Sequence, residues 1–278
     1  MMRLPFTQVD AFADGAFTGN PAAVMFLAEW LPDAVLQGIA ADNNLSETAF
    51  LVPHDGPEAD FALRWFTPKL EVALCGHATL ASGHVVLEAL PQLQVARFLT
   101  RKAGLLMVAR DGSRLAMSLP AWPAARPVTG AEEAAVASAL GALPHEIWAR
   151  GDDYLVAVFD SPDQVRDLAP DFGAVLALAP GVDLMLIATA PGEDTDVLSR
   201  VFVPACGIGE DPVTGSAHAV IAPLWAGRFG RPQFSAFQAS ARGGRLDCRV
   251  AGDSVLLTGT ARTVIRGEYD LPDAVLSG

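Results

Sequence analysis

Lysine is nearly missing from this 278-residue chain: of 19 basic residues only Lys69 and Lys102 are lysines, against 32 acidic residues and a net charge of −13. That surplus has the wrong sign for a polyphosphate backbone or an anionic lipid surface, which argues against nucleic acid and membrane as partners. Cysteine is scarce as well. Cys75, Cys206 and Cys248 are odd in number and widely spaced, giving neither a disulfide framework nor a zinc pattern. Among the five histidines, His77 and His84 stand seven apart without supporting carboxylates, so no metal and no cofactor is expected. Long apolar runs are missing too, and Met1-Met2-Arg3-Leu4-Pro5-Phe6 lacks a signal-peptide core, so the expectation is a soluble cytoplasmic protein. What remains is 51% hydrophobic and 18% charged, enough to bury two cores.

A repeat divides the chain. Arg64-Trp65-Phe66-Thr67-Pro68 is echoed by Arg200-Val201-Phe202-Val203-Pro204 at an offset of 136, and Gly76-His77-Ala78 by Gly215-Ser216-Ala217 at 139. The same 139 relates Phe98 to Phe237 and Gly104 to Gly243, each glycine preceding a hairpin-like stretch. The expected architecture is a duplicated α+β domain: residues 1–119, completed by a strand within 261–278 whose alternation reads from Gly259 to Tyr269, and residues 120–260. The Pro-rich stretch from Leu119 to Pro127 reads as their linker. In each copy an almost wholly apolar helix follows the glycine, Ala78 to Leu90 and Ala217 to Trp225, the second ended by Gly227. A helix apolar on all sides belongs inside something, and the strands around it suggest a sheet wrapped about it.

Each such helix opens on small residues. Unpaired amides and the positive helix pole at Gly76-His77 and Gly215-Ser216 suit a carboxylate or phosphate without any basic side chain. Other candidate positions are plainer. Gly19-Asn20-Pro21 reads as a turn that presents an amide, or as an ordinary hairpin. Glu47, between Ser46 and Thr48 at the entry to a strand, reads as a solvated or capping acid, or as a general base with its pKa raised by apolar neighbours. His77 reads as a capping or packing residue, or as a ligand group.

Gly19-Asn20-Pro21, Ser46-Glu47-Thr48, Cys75-Gly76-His77-Ala78-Thr79 and Glu210-Asp211-Pro212-Val213-Thr214-Gly215-Ser216-Ala217-His218, in this order, resemble the PhzF-like family of phenazine biosynthesis along nearly the whole chain. The resemblance implies the diaminopimelate epimerase-like fold, two pseudo-symmetric domains with substrate in the cleft between them. It further implies a homodimer and isomerisation of a small carboxylic acid without metal or organic cofactor. Glu47 then matches the catalytic acid/base, His77, Asp211 and Ser216 the groups that position substrate and assist proton movement, and Asn20, Gly76 and Gly215 the substrate-binding positions. Cys75 occupies the place of one thiol of the two-thiol racemases of this fold, while the repeat puts Thr214 at the other. A thiol at a helix mouth is expected to be acidic and reactive, which keeps a one-thiol isomerase as an alternative. Cys206 reads as a small buried thiol. A non-catalytic small-acid binding protein is the other alternative.

Overall fold

The computed structural model describes residues 2–273. In chain order the elements are β1 (Met2–Ala11), β2 (Asn20–Phe26), α1 (Asp33–Asn43), β3 (Glu47–Pro53), β4 (Phe61–Phe66), β5 (Glu71–Val72), α2 (Gly76–Ala89), β6 (Val95–Thr100), β7 (Leu105–Asp111) and β8 (Arg114–Pro120). There follow β9 (Arg126–Val128), α3 (Ala131–Leu140), β10 (Glu146–Arg150), β11 (Tyr154–Val158), α4 (Pro162–Arg166), α5 (Phe172–Leu178), β12 (Met185–Pro191), β13 (Val197–Phe202), α6 (Gly215–Phe229), β14 (Gln233–Gln238), β15 (Gly244–Ala251), β16 (Ser254–Gly259) and β17 (Ala261–Leu271). Two compact units result, one from the start of the chain to Ser118 and again from Thr258, the other Leu119–Leu257. Of the expected completing stretch 261–278, residues 274–278 lie outside the described part. Among the described residues no helix is long and apolar enough to cross a membrane.

The first unit pairs β17 antiparallel with β1, β1 antiparallel with β2, β2 parallel with β3, β3 antiparallel with β4, β4 parallel with β6, and β6 antiparallel with β7. The second repeats this order of senses. There β9 and β10 are antiparallel, β10 and β11 antiparallel, β11 and β12 parallel, β12 and β13 antiparallel, β13 and β14 parallel, and β14 and β15 antiparallel. Equal senses in equal order are what a duplicated domain requires, and they give the two copies the same frame for their side chains.

Helix α2 packs on β1, β2, β3, β6, β7 and β17, with Ala78, Leu80, Ala81 and Val86 fully buried. Its polar residues turn their hydroxyls back on the helix: Thr79 donates to the Cys75 carbonyl at 2.5 Å and Ser82 to that of Ala78 at 2.7 Å. Gly83 sets how close helix and sheet come, since a Cβ there would lie 2.4 Å from the Val108 side chain. On the other face of the unit, α1 buries Val35, Leu36, Ile39 and Ala40 against Met25, Phe50 and Phe66, the face its 3.6-residue periodicity selects.

Helix α6 runs past its expected end. Gly227 lies inside it, and the chain reverses only at Gly230, whose φ of +63° is the left-handed conformation a glycine cap provides. Pro223 also lies inside and lacks the N–H that would meet the Ala219 carbonyl; the backbone of Trp122 donates to that carbonyl instead, at 3.1 Å. The Pro-rich stretch is therefore bound to the second unit rather than a loose tether, and β9 within it pairs with β10.

The repeated Arg-x-Phe motif is a brace in both units. Arg64 donates from Nε and Nη2 to both carboxylate oxygens of Glu71 at 2.7 and 2.8 Å and lies 5.0 Å over the Phe66 ring. Arg200 does the same to Glu210 at 2.8 and 2.9 Å, 5.0 Å over Phe202. Each fork ties a strand to the loop that carries the helix mouth. Arg64 is only 5% exposed and also meets Asp33 at 2.9 Å, whereas Asp33 is 64% exposed. Removing the buried partner strands charge, and removing the exposed one does not. Arg64→Ala is therefore expected to cost about 3–5 kcal/mol of unfolding free energy and Asp33→Asn about 0–1 kcal/mol, measured by urea denaturation of the two variants.

His218, in the first turns of α6, is fully buried and its Nδ1 donates to the Thr214 carbonyl at 2.8 Å. Burial pushes its pKa down to about 4, the carbonyl only partly opposing this. Because the unfolded chain then binds the extra proton more readily, the stability tied to the neutral ring is complete above about pH 6.5 and is lost as pH falls toward 4. His218→Gln is expected to remove this part of the acid sensitivity, on the order of 2 kcal/mol over that window, read as the difference between wild-type and variant unfolding free energies at pH 7 and pH 4.5.

Candidate active site

In the first unit three elements converge. Gly19 has a φ of +83°, and a Cβ there would meet the Ala11 carbonyl oxygen at 2.6 Å. Only glycine lets the chain pass so closely, and the turn places Asn20 as the first residue of β2, fully buried. The expected turn at Asn20 is thus a strand start. Glu47 begins β3, in register with Ala22 of the parallel neighbour β2. Cys75, in extended conformation, is the N-cap of α2, and Gly76 and His77 form its first turn.

His77 ties these together. Its Nε2 lies 2.9 Å from Glu47 Oε2, its Nδ1 is 3.1 Å from Asn20 Nδ2, and Cys75 Sγ is 3.5 Å from Nδ1 and 3.9 Å from Nε2. Burial works against charge on this ring, but the neighbouring thiol and the Glu47 carboxylate outweigh it and hold its pKa well above the ordinary histidine value. As placed, the Asn20 amide nitrogen donates to Nδ1, and protonating both ring nitrogens requires that amide to turn its oxygen toward Nδ1–H. The side chain of Glu47 is 16% exposed, so the pair is open to solvent on one side only.

Cys75 corrects the expectation of an acidic thiol. Its side chain is buried, and that burial first, with the Glu47 carboxylate second, pushes its pKa up to about 11 against the pull of His77 and the Ala78 amide. Cys206 is corrected in the opposite sense: it is exposed, at the end of the short 3-10 turn Pro204–Cys206, where no strand covers it.

The second unit holds Asp211, Gly215 and Ser216. Asp211 is buried and accepts a short hydrogen bond from the hydroxyl of Thr214, the N-cap of α6. Gln238 closes this loop: its Oε1 accepts from the Thr214 amide at 2.8 Å, and its Nε2 donates to the Asp211 carbonyl at 2.8 Å. Ser216 does not join Asp211. Its Oγ lies 4.0 Å from Met185 Sδ, with the Tyr154 side chain as its polar neighbour. Neither Cys75 nor Thr214 closes its helix mouth with a side-chain hydrogen bond to the first turn, so both helix starts keep their positive pole.

Sequence reasoning missed Gln238 and Tyr154. For Gln238 a signal existed: at an offset of 139 it matches Leu99, so a polar residue stands at a buried strand position. For Tyr154 none did, since its partnership with Ser216 joins residues far apart in the chain.

Comparison with known proteins agrees along nearly the whole length. Residues 9–267 match the family described as phenazine biosynthesis-like protein. A Pseudomonas aeruginosa protein named as an uncharacterized isomerase is 48% identical over 272 residues, covering 97% of this chain and 100% of that one. The crystal structure of a PhzF-family phenazine biosynthesis protein from Enterococcus faecalis is 40% identical, with a TM-score of 0.86 over 97% of this chain and 100% of that one. A hydroxyproline epimerase from Agrobacterium vitis, 15% identical with a TM-score of 0.58 over 99% and 95% of the two chains, shares the fold alone. The chain has the diaminopimelate epimerase-like fold and belongs to the phenazine biosynthesis-like family, a family of isomerases.

Proposed function

We propose that this protein is a metal- and cofactor-independent isomerase that removes a proton from one carbon of a small carboxylic acid and returns it to another. The observation that carries the reading is the pairing of Glu47 with His77 at 2.9 Å beside the first turn of α2. Glu47 takes the proton and gives it back at the second carbon, and the His77 ring, held toward its protonated form, supplies opposing charge that assists the transfer. The amides at Gly76 and His77 hold the substrate carboxylate or the negative charge that develops as the C–H bond breaks, which a base alone leaves unstabilised. On the family resemblance, Asp211 and Ser216 position the substrate and Gly215 supplies a second set of amides. The cytoplasm is the proposed compartment, and a homodimer the proposed assembly.

The one-thiol alternative is weakened by the state of Cys75. With a pKa of about 11, only about one thiol in a thousand is ionised at pH 8. A non-catalytic acid-binding protein would keep the helix mouth and have no use for an acid beside it.

Incubation in deuterium oxide with a broad panel of small carboxylic acids tests the reading. Wild-type protein is expected to exchange a carbon-bound proton of at least one acid, and Glu47→Gln to slow that exchange by about 10²–10⁴-fold. Exchange by none of the panel supports the binding protein. Thiol accessibility is a second check: iodoacetamide at pH 8 is expected to label Cys206 first and Cys75 about a hundredfold more slowly, followed by peptide mass spectrometry. Equal rates would restore the one-thiol mechanism.

A further inference from the structure

We propose that Glu47, Cys75 and His77 also form a capture site for one thiophilic divalent cation of the zinc class, and that filling it switches the proton-transfer pair off. One ligand atom from each of the three residues lies within 4.8 Å of the other two. His77 Nε2 stands 2.9 Å from Glu47 Oε2 and 3.9 Å from Cys75 Sγ. A tetrahedral zinc ion with nitrogen and oxygen at about 2.0 Å and sulfur at about 2.3 Å spaces its ligands by roughly 3–4 Å, so Oε2 and Nε2 need little movement, while Cys75 Sγ, which lies nearer Nδ1 at 3.5 Å, has to swing to the Nε2 side.

Two details set this cluster apart from a chance grouping. Glu47 Oε2 is buried and faces His77 Nε2 at 2.9 Å, so two of the three ligand atoms already converge out of solvent. The other ring nitrogen of His77 lies 3.1 Å from the Asn20 amide nitrogen; with that amide turned so that its oxygen accepts from Nδ1–H, Asn20 is the kind of outer partner that fixes a metal-binding histidine in orientation. Three protein ligands leave a fourth position, and the partly exposed Glu47 side chain marks the way in. On binding, protons leave Cys75 Sγ and His77 Nε2 for solvent, and the thiolate and carboxylate neutralise the ion. Those are the same Glu47 oxygen and His77 nitrogen that proton transfer uses, so metal and substrate proton exclude each other. Sequence spacing hides such a site, since Glu47 lies 28 residues before Cys75.

Cobalt(II) titrated into the full chain, freed of metal with EDTA and kept reduced, tests the proposal without any substrate. One equivalent is expected to give a thiolate-to-cobalt charge-transfer band that zinc(II) abolishes by displacement. Cys75→Ser should lose the band, Cys206→Ser should keep it, and Asn20→Ala, which leaves every ligand in place, should weaken binding by about 10–100-fold. Glu47→Gln serves as a second ligand variant should Cys75→Ser fold poorly, and is expected to bind at least tenfold more weakly. Absence of the band, its persistence in folded Cys75→Ser, its loss in Cys206→Ser, or unchanged affinity in Asn20→Ala or Glu47→Gln overturns the site. Deuterium exchange that continues with one equivalent of zinc bound overturns the switch. The cobalt reading stands or falls independently of the isomerase reading.

Discussion

A helix that is apolar on every side has to be enclosed, and in each unit the rest of the chain follows from that requirement. Enclosing α2 takes strands from both ends of the chain, β1 and β17 included, leaves Glu88 and Ala89 exposed at its C-terminal end, and buries the N-terminal turn of Gly76 and His77. At that end lie amides with no partner inside the helix and a partial positive charge of about half a unit. The burial that stabilises the fold therefore creates the pole that attracts an acid.

The two units solve one packing problem with one frame and then diverge at the frame's functional positions. The Arg64–Glu71 and Arg200–Glu210 forks are equivalent in geometry and hold equivalent loops. At the helix caps the pair is Cys75 and Thr214, and one residue into each helix lies Gly76 or Gly215, followed by His77 or Ser216. Glu47 and Met185 each begin a seven-residue strand that ends in proline and lies parallel to its predecessor. His77 against Glu47 is thus answered by Ser216 against Met185. The acid and the base lie together in the first unit, where the second has a thioether and a hydroxyl.

Much of this was legible in the residues. Constant offsets between Arg-x-Phe-x-Pro, the glycine mouth and the following hairpin exposed the duplication, and the almost wholly apolar stretch after Gly76 marked the helix that has to be enclosed. The ordered motifs carried the family. What stayed hidden depends on tertiary partners. Nothing local tells that Pro223 continues a helix, because its missing hydrogen bond is replaced by the distant Trp122 amide. Nothing local tells that Glu47 touches His77, thirty residues on, rather than water. Reading Cys75 as acidic failed for a related reason: the helix pole contributes up to about 2 kcal/mol, while a rise of two pKa units toward about 11 corresponds to about 2.7 kcal/mol against the thiolate. Burial wins that contest, and a sequence does not display burial at a helix cap.

The two buried histidines near the helix starts show what turns a packing residue into a chemical one. Both rings are out of water, and burial pushes both toward the neutral form. His218 has only the Thr214 carbonyl to set against this and falls to about 4, so at neutral pH it is an inert donor that fills space and satisfies a backbone oxygen. His77 has Glu47 and Cys75 at its edge, and the direction reverses. The sign of the shift is decided by the neighbours rather than by depth or by the helix pole, which both rings share. In the second unit the position of Glu47 holds Met185, and a thioether cannot offset the loss of hydration that a charged imidazole suffers there. Of the two buried rings on this duplicated frame, the raised pKa is therefore confined to the one that faces a carboxylate.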